Sequence, residues 1–162
     1  MKPAMKALFF AATFALLPLV GCASKPPVAV INEAATLNGQ LPYNPFAWKV
    51  ITSSINQRNA TMSTLYGNEL AVAYARGNSG HDYPAGSVLA LVTWAQRDDP
   101  HWFGARIPST PQSVEFVTIH SAPVTKPTYE RYQGTPLTRA TASDGDAIRV
   151  EYLITQRAAV IP

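Results

Sequence analysis

The strongest pattern in the chain is an apolar run at residues 87–97 (SVLALVTWAQR). In an extended chain Val88, Ala90, Val92 and Trp94 point one way, and Leu89, Leu91 and Ala95 point the other. A strand that is apolar on both faces belongs inside a sheet, covered on both sides. Residues 48–56 (WKVITSSIN) and 61–66 (TMSTLY) are rich in β-branched types and are separated by the polar stretch 57–60, which predicts a hairpin. Residues 69–76 predict a short helix. Asn68 is its N-cap, Glu69 complements the positive end, Gly77 offers a left-handed stop, and Leu70, Ala73 and Tyr74 form its apolar face. Residues 77–86 and 98–111 carry glycines and prolines and read as loops; 112–120 (QSVEFVTIH) reads as a strand antiparallel to 87–97, and 128–132 as a shorter one. Residues 146–161 fit two templates. Ile148, Val150, Tyr152 and Ile154 alternate as in a strand, whereas Val150, Leu153, Ile154, Ala158 and Ile161 share one side of a helix. Length favours the helix, and Ser143 with Asp146 resembles a capping box. The expectation is an α+β domain on a mostly antiparallel sheet of about five strands, with a short helix after the second strand and a C-terminal helix.

A different apolar run precedes all of this. Lys2 and Lys6 lead into an uncharged stretch from Ala7 to Gly21, which ends in Leu19-Val20-Gly21-Cys22. The run is too short for a span of about 20 residues, and polar, proline-bearing sequence follows it. Its ending resembles the lipobox of bacterial lipoproteins. That resemblance implies a signal peptide over 1–21 and acylation (palmitate among the chains) at Cys22. With Ala23 rather than aspartate next, it also implies retention at the outer membrane, facing the periplasm. The lipid bilayer is then the first partner. Residues 22–45, with Pro26, Pro27, Pro42 and Pro45 among Ala, Asn and Gly, read as a lipidated tether, and the domain proper as 46–162.

Composition narrows the function. Without Lys2 and Lys6 the 13 basic residues become 11 against 10 acidic ones, a net of +1, so no basic stripe remains for nucleic acid. Cys22 is the only cysteine, so no disulfide forms within the chain.

From about Phe46 to Thr118 the chain resembles the cytochrome P-460 family. The resemblance is carried by Trp48-Lys49-Val50-Ile51, then Leu65-Tyr66-Gly67-Asn68-Glu69-Leu70-Ala71-Val72 and Ala75-Arg76-Gly77. Tyr83-Pro84-Ala85-Gly86-Ser87-Val88-Leu89-Ala90, Val92-Thr93-Trp94 and Val114-Glu115-Phe116-Val117 complete it. It implies a curved antiparallel sheet with flanking helices, often paired as a homodimer. Haem-bearing members bind a c-type haem through a CxxCH motif near the C-terminus and act on small nitrogen species such as hydroxylamine or nitric oxide. This chain has no cysteine after residue 22 and no histidine after His120, and Ala73 stands where members often carry a lysine. The reading is therefore of a haem-less domain with no cofactor, on a lipoprotein.

The remaining chemistry is sparse. Asp98-Asp99-Pro100-His101 offers metal-ligand types without convergent spacing and reads as a polar turn, so no metal is expected. His81 and His101 flank a strand about 35 Å long and do not share a site; an antiparallel return brings His120 toward His81 instead. Ser53, Ser54 and Ser63 lack a nucleophile context, and there is no phosphate loop. Trp48, Tyr66, Arg76, His81, Trp94 and His120 are the candidate pocket residues. Two function classes stand: a non-catalytic envelope module that binds a small ligand or a protein, and an oxidoreductase or gas-binding protein holding haem or metal non-covalently through a histidine.

Overall fold

The computed structural model describes residues 31–77, 80, 82–123 and 126–159. Residues 1–21, read from the sequence as a signal peptide, and Cys22, His81 and Ile161 lie outside the described residues. The elements are β1 (Lys49–Asn56), β2 (Thr61–Gly67), α1 (Glu69–Gly77), β3 (Val88–Asp98), β4 (Arg106–Thr118), β5 (Thr128–Gln133), β6 (Thr138–Arg139) and α2 (Asp146–Ile154). The six strands form one antiparallel sheet in sequence order. This is the expected α+β architecture with one strand more than read from the sequence. β6 is two residues long and too short to show a period.

β3 sits inside the sheet, between β2 and β4, and is buried almost throughout. Its two apolar faces feed two cores. On one face Leu89 and Leu91 join Ile51, Leu65, Val117, Ala71 and Val72 of α1, and Leu153 of α2. On the other, Ala90, Val92 and Trp94 join Val114, Phe116, Tyr132 and Leu137. The two helices cover the first face. The second is covered by the segment ahead of β1, where Ala35, Leu37, Leu41 and Trp48 pack against the core. This segment, here called the strap, is fastened by backbone and side chain alike. Asn32 Nδ2 donates to Pro108 O (2.7 Å), Trp94 Nε1 to Ala35 O (2.9 Å) and Leu137 N to Asn38 O (2.7 Å). Among the described residues, the stretch from Asn32 to Pro45, read from the sequence as part of a tether, is therefore packed, because the second face of β3 needs cover.

Local chemistry explains the element ends. Asn68 Oδ1 accepts from Ala71 N (3.0 Å) and from Val88 N (3.2 Å), so one side chain caps α1 and clamps the start of β3. The helix buries Ala71 and Val72 rather than the expected Leu70 and Ala73, of which Leu70 is 49 % exposed. The cause is a close approach: a Cβ on Gly67 would sit 2.8 Å from Ile51 Cδ1 and 2.9 Å from Ala71 Cβ, so the small face of α1 meets the sheet. Gly77 is still helical and does not take the expected left-handed stop. Half of the loop read at 98–111 is strand, chiefly Arg106 to Pro111 at the start of β4. Pro108 and Pro111 fall at the register irregularities of the β3–β4 ladder, on a stretch of β4 that β5 does not reach. α2 ends at Ile154, short of the helix read to 161. Thr155 Oγ1 and Gln156 Nε2 take the last carbonyls, and the chain turns so that Ala159 N donates to Ile51 O (2.8 Å).

Trp94 is 4 % exposed, so Trp94→Ala should cost about 3–5 kcal/mol. Urea denaturation checks this, and an unchanged midpoint would remove Trp94 from the core.

Candidate functional site

Two side-chain constellations stand out, one on each face of the sheet. On the strap face, residues 43–48 bring an aromatic set over β2 and β3. Asn44 Oδ1 accepts from Phe46 N (3.1 Å) and shapes the short turn Pro45–Ala47. The Phe46 ring then lies parallel to Trp94 at 6.3 Å and edge-on to Tyr66 at 5.9 Å. Tyr43 contacts Trp48 at 5.4 Å and Phe116 at 5.7 Å. Tyr43 and Phe46 remain 39 % and 47 % exposed, and they border a groove of about 360 Å³ shared with Leu37, Leu41, Thr36 and Asn44. Its size is at the lower end for small-molecule sites, and its lining is apolar and polar in nearly equal measure.

On the helix face lies a buried charge. Glu115 is in the middle of β4, 4 % exposed, between apolar Val114 and Phe116. A buried carboxylate needs partners, and it has three hydrogen bonds. Arg149 of α2 donates from Nε to Oε2 (2.8 Å) and from Nη2 to Oε1 (2.9 Å), while the Tyr129 hydroxyl donates to Oε2 (2.8 Å). Arg149 also lies 4.6 Å over the Tyr152 ring. Burial, then the hydrogen bond and charge of Glu115, push the Tyr129 phenol well above its ordinary value of 10. For Arg149, burial works against the charge, but the bond to Glu115 outweighs it and the guanidinium is held more firmly protonated than usual. With both carboxylate oxygens engaged by Arg149 and Tyr129, Glu115 acts as an anchor for α2. These residues were missed at the sequence level, yet they left a signal: one acid inside the apolar stretch SVEFV, and one arginine on the apolar side of a short helix.

The structure brings Trp48, Tyr66 and Trp94 together on the strap face. Arg76 sits in the last turn of α1, exposed and on the helix face, and His120 follows β4 with its Nε2 bonded to Thr128 Oγ1 (2.6 Å). His101 pairs with Asp99 (3.4 Å) at the exposed β3–β4 turn. Among the described residues no group of His, Cys, Asp and Glu converges on a metal position.

The sequence profile of the cytochrome P460 family matches residues 43–146. The chain belongs to the cytochrome P460 family. The match runs from the aromatic end of the strap to the first residue of α2, so it takes in the whole sheet. No curated protein matches closely enough to count as a relative.

A c-type haem of the kind expected of haem-bearing members does not fit the residues of this cytochrome P460 domain. Covalent attachment needs cysteine sulfurs beside a ligand histidine, and the chain's one cysteine, Cys22, lies before the matched region. His101 and His120 are both exposed and engaged with Asp99 and Thr128, and neither borders the strap groove.

Arg149→Met would strand the buried Glu115 carboxylate. The loss should be about 3 kcal/mol, the low end for a broken buried pair because the guanidinium is 38 % exposed. A denaturation midpoint equal to wild type would show that the pair does not hold α2. The Tyr129 phenol has a raised folded-state pKa, so its contribution is fully present below pH 10 and is lost as pH rises through the folded value. Unfolding free energy should therefore fall more gently between about pH 10 and 11.5 in Tyr129→Phe than in wild type. Parallel slopes in denaturation series across that window would contradict the assignment.

Proposed function

We propose that the protein is a membrane-anchored envelope lipoprotein whose cytochrome P460 domain is a non-catalytic binding module without covalent haem. The observation that carries the reading is the placement of the only cysteine. Cys22 closes the apolar run as Leu-Val-Gly-Cys and is followed by Ala-Ser-Lys, so it suits a lipobox and not a CxxCH motif. The family's attachment chemistry has no sulfur to use, while the lipidation chemistry has the one it needs. Attachment on this reading is through acyl chains on Cys22. Binding is assigned to the strap groove, where Tyr43 and Phe46 present apolar ring area beside the polar edges of Thr36 and Asn44. A small ligand with an apolar or aromatic body suits that lining.

One experiment addresses both halves. The full chain is expressed in a Gram-negative host with a cytochrome-maturation system, and its membranes are isolated. The expected product is a processed chain in the outer-membrane fraction, with acyl mass on Cys22 and no haem stain after denaturation. Cys22→Ala should leave an uncleaved or soluble product. A Soret band that stays with the denatured polypeptide would overturn the haem-less reading, and a Cys22→Ala chain that still fractionates as a processed lipoprotein would overturn the anchor.

A further inference from the structure

The apolar residues that the fold leaves exposed are not scattered evenly. Trp102 is 73 % exposed and Phe103 fully so, side by side at the tip of the β3–β4 hairpin. Of the chain's three tryptophans, Trp94 is buried and Trp48 half-buried; only Trp102 faces water. Ile55, 62 % exposed, ends β1 at the same end of the sheet, where the turn after it meets β3 through Ala60 O and Gln96 N (2.9 Å). Ile31, 66 % exposed, lies there too, because its neighbour Asn32 bonds Pro108 O and accepts from Arg97 Nη2 (3.2 Å) near the base of the hairpin.

The tip is held in this presentation. Asp99 N donates to Ala105 O (3.0 Å), Ala105 N donates to Trp102 O (3.1 Å), and Asp99 Oδ1 accepts from His101 N (2.8 Å). Gly104 takes φ +79, a turn conformation that L side chains rarely adopt, in open space. The turn closes on its own backbone, and the two rings point away from both cores.

The chain's route supplies the occupant. Asn32, where the strap is fastened, stands ten residues after Cys22, a reach of at most about 35 Å. The strap is therefore tied at the end of the sheet that bears Trp102 and Phe103, and an acyl anchor at Cys22 is tethered to that end. We infer that the β3–β4 hairpin tip is a second membrane contact, placing Trp102 and Phe103 in the interfacial layer of the bilayer that holds the Cys22 acyl chains. This rests on the lipoprotein reading and goes beyond it by fixing which end of the domain meets the lipid. Tryptophan suits the headgroup level, with an apolar body and a polar edge. The charges at this end nearly balance: Arg58, Arg97 and Arg106 stand against Asp98 and Asp99, with Arg106 paired to Asp98 at 3.0 Å. The contact is thus apolar in character, and ionic strength should leave it unchanged.

The test uses the full chain purified from membranes and reconstituted into vesicles of phosphatidylethanolamine and phosphatidylglycerol, with and without brominated acyl chains. Subtracting the emission of Trp102→Phe isolates Trp102 and keeps an aromatic tip. The expected result is a blue-shifted Trp102 emission that brominated lipid quenches, at low and high salt alike, with quenching weakened in Phe103→Ser. Unquenched, water-like Trp102 emission from vesicle-bound protein would overturn the inference. So would a blue shift that appears without vesicles and grows with protein concentration, because that places the tip between two copies. Intact mass separates this from the anchor. If Cys22 carries no acyl chain, the lipoprotein reading fails by itself. The same quenching then decides the hairpin: a quenched Trp102 supports it and an unquenched one overturns it.

Discussion

β3 has no face that water can occupy. Leu89 and Leu91 on one side, and Ala90, Val92 and Trp94 on the other, all need cover, and the rest of the chain is arranged to give it. The helix side is closed by α1 and α2. The other side has no helix, and the strap closes it with Ala35, Leu37, Leu41 and Trp48. The strap has no strand and only two short helical turns, Glu33–Ala35 and Pro45–Ala47, so its order comes from the surface beneath it. Its bonds to Trp94 Nε1, Leu137 N and Pro108 O anchor it to three different parts of the sheet. The aromatic groove exists because this cover is partial: the strap turns at Pro45–Ala47 and leaves the rings of Tyr43 and Phe46 between core and solvent.

The two faces are secured by different physics. The strap face relies on ring packing, which tolerates small displacements. The helix face adds a buried carboxylate with a bidentate arginine and a tyrosine hydroxyl, and these demand a specific position of α2. Apolar contacts alone would let α2 rotate or slide over Leu89, Leu91 and Val117. A Glu115 left without Arg149 costs too much for that, so the pair fixes where the helix lies. The close seat of α1 over Gly67 does a similar job sterically, because only a residue without a Cβ leaves room for Ala71 and Ile51 together.

How much of this the sequence disclosed follows from the range of each signal. The first hairpin, the α1 cap at Asn68, the buried centre of β3 and its antiparallel partner are local or strongly patterned, and they were readable. The buried side of α1 was not. Leu70 looks more suitable for a core than Ala71, but a close approach at Gly67 selects the smaller residue, and that contact spans no local period. Only the first part of β4, Arg106 to Pro111, hid behind its prolines, which read as loop until the sheet places Pro108 and Pro111 at ladder irregularities. The end of α2 was misjudged because Ala158 does pack on the core, as a helix would have it, although the chain has already turned toward β1. The strap was the least legible part. A segment with no period of its own can be assigned order only when the surface it covers is known. Of the aromatic site, Trp48, Tyr66 and Trp94 were visible as residues, whereas Tyr43 and Phe46, which shape the groove, were read as tether and boundary.

That division bears on how this cytochrome P460 domain would hold together without attached haem, as the proposed function has it. Each core is complete from protein groups. The helix face closes on Leu153, which is fully buried, and on the Glu115–Arg149 pair; the strap face closes on Trp94 and Phe116. Among the described residues both cores close on protein groups alone, so on the proposed haem-less reading the missing CxxCH chemistry opens no cavity in the sheet. What the chain keeps is a rigid sheet with an aromatic groove on one face and a hairpin that projects beyond its edge. A domain of that kind would serve the proposed recognition role, in which shape and orientation matter. Fixing the orientation is then worth as much as shaping the groove. On the proposed lipoprotein reading, a tether alone would leave the domain free to tumble over the lipid surface, whereas the second apolar foot inferred at Trp102 and Phe103, on the sheet end where the strap is fastened, would restrict which way the groove faces.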